Sequence, residues 1–187
     1  MKERPIIFSA PMVRAILEGR KTQTRRIVKP MRHPYGEMLS AEEIANEINN
    51  GTCSVSSPYG IVGDLLWVKE SIQALDDFDS PVQYCADGEV DFTTNWVWKK
   101  LKLPSIFCPK GLSRIDLEIT NIRVERLNDI SEEDAIAEGV QGRMDYENNC
   151  YWPESYVFSE LWESINGAGS WAKDPLVWVI EFKRVES

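Results

Sequence analysis

Ile115, Leu117 and Ile119 alternate with Asp116 and Glu118, and the apolar phase then slips to Ile122 and Val124. Alternation at period two with one apolar face describes a half-buried strand. A change of phase inside it requires an extra residue, so a bulge or kink is expected near Thr120-Asn121. A long, bent strand needs neighbours, and the chain supplies them. Leu65-Leu66-Trp67-Val68-Lys69-Glu70-Ser71 follows the turn Gly63-Asp64, and Val82-Gln83-Tyr84-Cys85 runs into the turn Ala86-Asp87-Gly88. The closing Leu176-Val177-Trp178-Val179-Ile180-Glu181-Phe182-Lys183 places Trp178, Ile180 and Phe182 on one face. Pro5-Ile6-Ile7-Phe8 is either an edge strand or the entry to the first helix, and Ile27-Val28-Lys29-Pro30 is extended and stopped by its proline.

Helix punctuation separates these strands. Ser9 or Ala10 can cap a helix with Pro11 near its first position, an apolar stripe of Met12, Val13, Ile16 and Leu17, and Gly19 at its end. Ser40-Ala41-Glu42-Glu43 opens a second helix with a capping-box pattern, ended by Gly51. Ser131 caps a third, with Glu132, Glu133 and Asp134 in the turn where the helix dipole favours acids, and Gly139 terminates it. Tyr156, Leu161, Trp162 and Ile165 mark an amphipathic helix ending at Gly167. Residues 54–60, 76–80, 104–111 and 142–153 read as loops, and 31–60 as an insertion. Strands with helices between them argue for an α+β fold around a small barrel or curved sheet, in a single domain spanning 1–187.

Composition narrows the function. No apolar run approaches the ~20 residues of a membrane span, and no signal-peptide core follows Met1, because Pro11 and Arg14 interrupt it; a cytoplasmic protein is expected. Cys53, Cys85, Cys108 and Cys150 lie far apart and His33 is the only histidine, so reduced, partly buried thiols are expected rather than a metal site. The net charge is −9, yet residues 1–32 carry nine Lys or Arg against two Glu, a local +7 that leaves −16 for the rest. An acidic body is a poor non-specific nucleic-acid binder, whereas a local basic patch suits a small anion, a nucleotide or one short RNA feature. Trp96 and Trp98 beside Lys99, Lys100 and Lys102 either stack a base or flank a buried strand.

The densest basic stretch is Gly19-Arg20-Lys21-Thr22-Gln23-Thr24-Arg25-Arg26, either a solvated turn or a site for something electron-rich. Its spacing Gly19-x-Lys21-x-x-x-x-Arg26 resembles the signature of the ASCH family, which is related to the PUA RNA-binding domains. In fuller form it is similar to the small bacterial N4-acetylcytidine amidohydrolases of that family. Gly63-Asp64-Leu65-Leu66-Trp67-Val68, the strand at 115–127 with its following helix, and the closing strand resemble the family in order. Pro104-Ser105-Ile106 and Asp129-Ile130-Ser131-Glu132-Glu133-Asp134-Ala135 look like a larger version often carried by phages and prophages.

The resemblance implies a PUA-like β-barrel flanked by helices, with 31–60 and 76–110 as insertions. It implies Lys21 as base, Thr24 as nucleophile and, matching the third helix from its cap, Glu138 as acid. It implies no cofactor, and a modified nucleoside or short RNA as partner. Arg20, Arg25, Arg26 and Glu70 are the expected substrate-binding residues, Arg26 pointing into the cleft or braced by a carboxylate such as Glu70. The chemistry is coherent, because neighbouring cations lower an ammonium pKa and a helix C-terminus raises that of a carboxyl group. In a regular strand Lys21 and Thr24 would face opposite ways, so an irregular backbone is expected between them. Two functions remain open on these residues: acyl hydrolysis at the exocyclic N4 of a modified cytidine or related nucleoside, and non-catalytic binding of RNA or a modified nucleotide.

Overall fold

The computed structural model describes residues 1–33, 35–51, 56–77 and 79–185; Cys53 and the start of the expected loop at 54–60 lie outside them. Strand β1 (Glu3–Ile7) leads into helix α1 (Ala10–Leu17) and strand β2 (Gln23–Ile27). The hairpin β3 (Met31–Arg32) and β4 (Met38–Leu39) precedes helix α2 (Ala41–Asn49). Next come β5 (Leu65–Lys69), β6 (Ile72–Ala74), β7 (Pro81–Tyr84), β8 (Val90–Asn95) and β9 (Lys102–Leu103). The chain closes with β10 (Asp116–Arg126), α3 (Glu132–Ala137), the hairpin β11 (Arg143–Asp145) and β12 (Cys150–Trp152), α4 (Glu154–Asn166) and β13 (Leu176–Val185). The fold is mixed α+β.

The main sheet has the order β1-β5-β10-β13-β2, with β1 parallel to β5 and the other pairs antiparallel. Long β10 is its organiser, and its register against β13 slips between Ile119 and Asn121, where the apolar phase of the sequence changes. Strand β13 is covered on both faces. Trp178, Ile180 and Phe182 join the main cluster with Ile6, Leu66 and Leu117, while Val177 and Val179 pack with Leu127, Phe158 and Trp162 under α3 and α4. That two-sided burial explains why its sequence is a run of apolar residues rather than a simple alternation.

The ladder ends at β1 on one side and β2 on the other, so among the described residues no hydrogen-bonded closure into a barrel exists. The two edges nevertheless come together. Arg26 on β2 donates from Nη2 to the Ile7 carbonyl on β1 at 2.9 Å. Pro5 in β1 has no N–H to donate, which removes one rung from any ladder along this seam.

The expected insertions behave differently from each other. Of the described residues in 31–60, Leu39, Ile44 and Ala45 join the main core. Its helix starts as the sequence suggests, with Ser40 and Glu43 capping one another. Strands β6 to β9 form a separate sheet of order β8-β7-β6-β9 over its own cluster of Ile72, Val82, Tyr84, Trp96 and Leu112. Trp96 is buried there and donates to the Lys100 carbonyl, so it is core rather than a base platform. The stretch 142–153 is a hairpin instead of a loop, with Trp152 stacked on Tyr156 of α4 at 4.2 Å.

Candidate functional site

The route from α1 into β2 explains how Lys21 becomes buried. Gly19, at φ +72°, ends the helix, and the N–H groups of Arg20 and Lys21 both donate to the Ala15 carbonyl at 2.9 and 3.0 Å. Lys21 then makes a single antiparallel bridge with Glu138, and Thr22 donates to the Ala137 carbonyl at 2.9 Å before β2 begins. The end of α3 is thus tied to the start of β2. Gly139 permits this in two ways: its φ is +89°, and a Cβ there would meet the Cβ atoms of Ala15 and Lys21 at 3.0 Å.

Lys21 and Glu138 are 2% and 3% exposed, and they meet. Lys21 Nζ donates at 2.8 Å to Glu138 Oε2 and at 2.8 Å to the Glu138 carbonyl, while Arg25 Nη1 reaches Glu138 Oε1 at 3.3 Å. Burial pulls the Lys21 ammonium below its ordinary range; the Glu138 carboxylate opposes that shift, and the charges of Arg26 and Arg25 add to it.

Arg25 is buried under a carboxylate cage. Its Nη2 donates to Glu125 and, at 2.7 Å, to Asp134 Oδ2. Arg123 grips the same carboxylates from outside, Nε to Glu125 Oε2 at 2.9 Å and Nη2 to Asp134 Oδ2 at 3.0 Å, and also pairs with Glu181. Burial alone would raise Asp134, but the hydrogen bond from Arg25 and the charges of Arg25 and Arg123 outweigh it and hold the carboxyl below its ordinary range. This cage was not foreseen from sequence. Its local signal is the same-face pair Arg123 and Glu125 in β10; Asp134 reads in isolation only as a helix-dipole charge.

A cleft of about 550 Å³ opens at the seam between β1 and β2. Arg25, Arg26 and Glu138 line it, with Phe8, Tyr59, Phe158 and Trp162 as aromatic walls. Lys21 Nζ and Arg26 Cζ lie 5.7 and 5.4 Å from the Phe8 ring centroid. Thr24 is 1% exposed, and neither it nor Lys21 is a lining residue. The Thr24 hydroxyl has no hydrogen-bond partner among the described residues. Such an orphan in a buried setting is rare enough to need a reason.

Two expected binding residues stand elsewhere. Glu70 does not brace Arg26: its carboxylate takes both Nε and Nη2 of Arg114, at 2.8 and 2.9 Å. Arg114 wins because it sits between the two sheets and can also hold Asp87, with its guanidinium 4.1 Å from the Tyr84 ring centroid. Arg20 pairs with Glu18 at 2.7 Å and the Gly139 carbonyl at 3.0 Å, and it is absent from the cleft lining. Among the described residues no three His, Cys, Asp or Glu side chains are grouped to hold a metal, and no helix is long and apolar enough to cross a membrane.

No family model matches the sequence, and no curated protein matches it. Among solved structures, the chain is similar to the ASCH domain from Lactobacillus crispatus JV V101, with 15% identity, a TM-score of 0.40, and coverage of 98% of this chain and 79% of that one.

Proposed function

We propose that this chain is a hydrolase that removes an acyl group from the exocyclic N4 amine of a modified cytidine or a related nucleoside. The observation that carries the reading is the Lys21–Glu138 pair, nearly sealed from solvent at 2.8 Å, with Glu138 lining a cleft walled by aromatic rings. Moving one proton from Nζ to the carboxylate converts the ion pair into a free amine and a carboxylic acid. Those are the forms that base and acid catalysis need, and burial favours the free amine because it penalises the Lys21 ammonium. Lys21 takes the Thr24 hydroxyl proton as Oγ1 attacks the acyl carbon. Glu138 gives its proton to N4 as the carbon–nitrogen bond breaks, and water then hydrolyses the acyl-threonine ester. Arg25, which lines the cleft, supplies a donor to the oxyanion of the tetrahedral intermediate. Thr24 Oγ1 has no hydrogen-bond partner among the described residues, so proton transfer from it requires Lys21 Nζ to move into reach of it.

A second reading, a non-catalytic module for RNA or a modified nucleotide, is favoured by one observation: Arg25 and Arg26 line the cleft whereas Lys21 and Thr24 do not. Incubation with N4-acetylcytidine and chromatography of the products separates the two. The hydrolase releases cytidine, Thr24→Ala loses nearly all turnover while still binding, and Glu138→Gln loses roughly 10²–10⁴-fold. Lys21→Ala is about as severe as Thr24→Ala, since base and nucleophile act as a unit. No cytidine from wild-type protein at high concentration and several pH values leaves the binding module.

A further inference from the structure

Among the described residues the cleft holds one guanidinium that is in no ion pair, that of Arg26. Lys21 is matched by Glu138, and Arg25 by Glu125, Asp134 and Glu138. Each oxygen of Glu138 thereby accepts from another cation. Arg26 has no carboxylate among the described residues within ion-pair distance; its guanidinium donates only to backbone, Nη1 to the Arg25 carbonyl at 3.3 Å and Nη2 to the Ile7 carbonyl at 2.9 Å. Those two bonds and the Phe8 ring fix its plane across the seam. A guanidinium has five N–H donors, so three remain for a ligand. Burial pulls Arg26 below its ordinary value, against the pull of nearby Glu138 and of Tyr59, yet a guanidinium stays charged. A cation set against Phe8, Met12 and Ile27 with no carboxylate in direct contact is costly, and a ligand's anion would offset that cost.

Helix α1 points the same way. Its first residues open on the cleft, where Ser9 and Met12 are lining residues, and the Ser9 side chain makes no capping hydrogen bond. Pro11 leaves this end only the Ala10 and Met12 N–H groups ahead of Val13, and the helix dipole there adds favourable potential for an anion.

We propose that Arg26, with the N-terminus of α1, receives a phosphate group, so that the ligand of the cleft is a nucleoside phosphate and not a neutral nucleoside. The proposal rests on the nucleoside reading above and names the charge of its substrate. The phosphate is either the terminal group of a free nucleotide or an internucleotide link of RNA, and the chemistry that recognises it is shared.

Calorimetric titration of the full chain at low salt with cytidine, cytidine 5′-monophosphate and a cytidine-centred RNA trinucleotide tests this without any turnover. A charge-assisted bidentate contact predicts that a phosphorylated ligand binds roughly 10- to 100-fold more tightly than cytidine. Whichever of the two phosphate ligands gains more identifies the source. Arg26→Gln collapses the ratio of phosphorylated to unphosphorylated affinity towards one, and Arg26→Lys, with the charge but not the fork, keeps part of it. Equal affinity for all three ligands in the wild type overturns the proposal and leaves the nucleoside reading standing, as does a ratio that survives Arg26→Gln. Binding of none of the three overturns both.

Discussion

Lys21 is sealed against Glu138 at 2.8 Å, and the titration of that buried lysine is the property of this site most open to measurement. Lys21 loses its proton more readily in the folded chain than in the unfolded one, because burial penalises its charge. The unfolded state therefore binds more protons between the lowered value and the ordinary lysine range. Stability is greatest above that ordinary range, falls as pH drops through the interval, and levels off below the folded value. Denaturant titrations across alkaline pH are expected to show this slope in the wild type and to lose it in Lys21→Met. The same titration makes turnover rise with pH, with a midpoint below the ordinary lysine value, since the neutral amine is the base. A flat profile in both assays would mean that Lys21 does not titrate there.

At the scale of elements, the two sheets are joined by Arg114. It sits just before β10, grips Glu70 after β5 through two hydrogen bonds, holds Asp87 beyond β7, and covers Tyr84 of β7. Its environment pushes its pKa up: burial lowers it, but the Glu70 and Asp87 carboxylates outweigh that. Arg114→Leu leaves the Glu70 carboxylate, 2% exposed, without this partner, a class of change that costs about 3–5 kcal/mol when the site stays dry. The loss is expected to be local. Hydrogen exchange should quicken over β6 to β9, whose cluster is separate, and leave β10 and β13 protected. Uniform acceleration across both sheets would show that they unfold together.

For the whole molecule, the relevant balance is a net charge of −9 around one basic seam. An acidic surface repels polyanions, and under the phosphate proposal Arg26 and α1 are where one is attracted. Binding of a short RNA is therefore expected to show a shallow salt dependence, with a slope of about −0.7 for each single-strand phosphate engaged. Trinucleotide affinity measured between low and physiological salt should give a value near one contact. A slope several times steeper would point to a long nucleic-acid groove.

The sequence by itself determined what depends on near neighbours. The bulge in β10 follows from a phase change visible at Thr120-Asn121, the caps of α2 and α3 from Ser40 and Ser131, and one buried face of β13 from Trp178, Ile180 and Phe182. The resemblance of residues 19–26 to a known signature marked where to look for chemistry. The hairpin at 143–152 escaped because its strands are three residues each, too short for a period to register. Tertiary structure alone decided the pairings. Lys21 and Glu138 are 117 positions apart and meet because α3 is tied to the start of β2; Glu70 went to Arg114 because that arginine lies between the sheets. Whether the sheet closes was equally out of local reach, since Pro5 and Arg26 act on that seam only once β1 and β2 face each other. Partners across a fold are set by strand order and by competition among charges, and neither is written in the spacing of one segment.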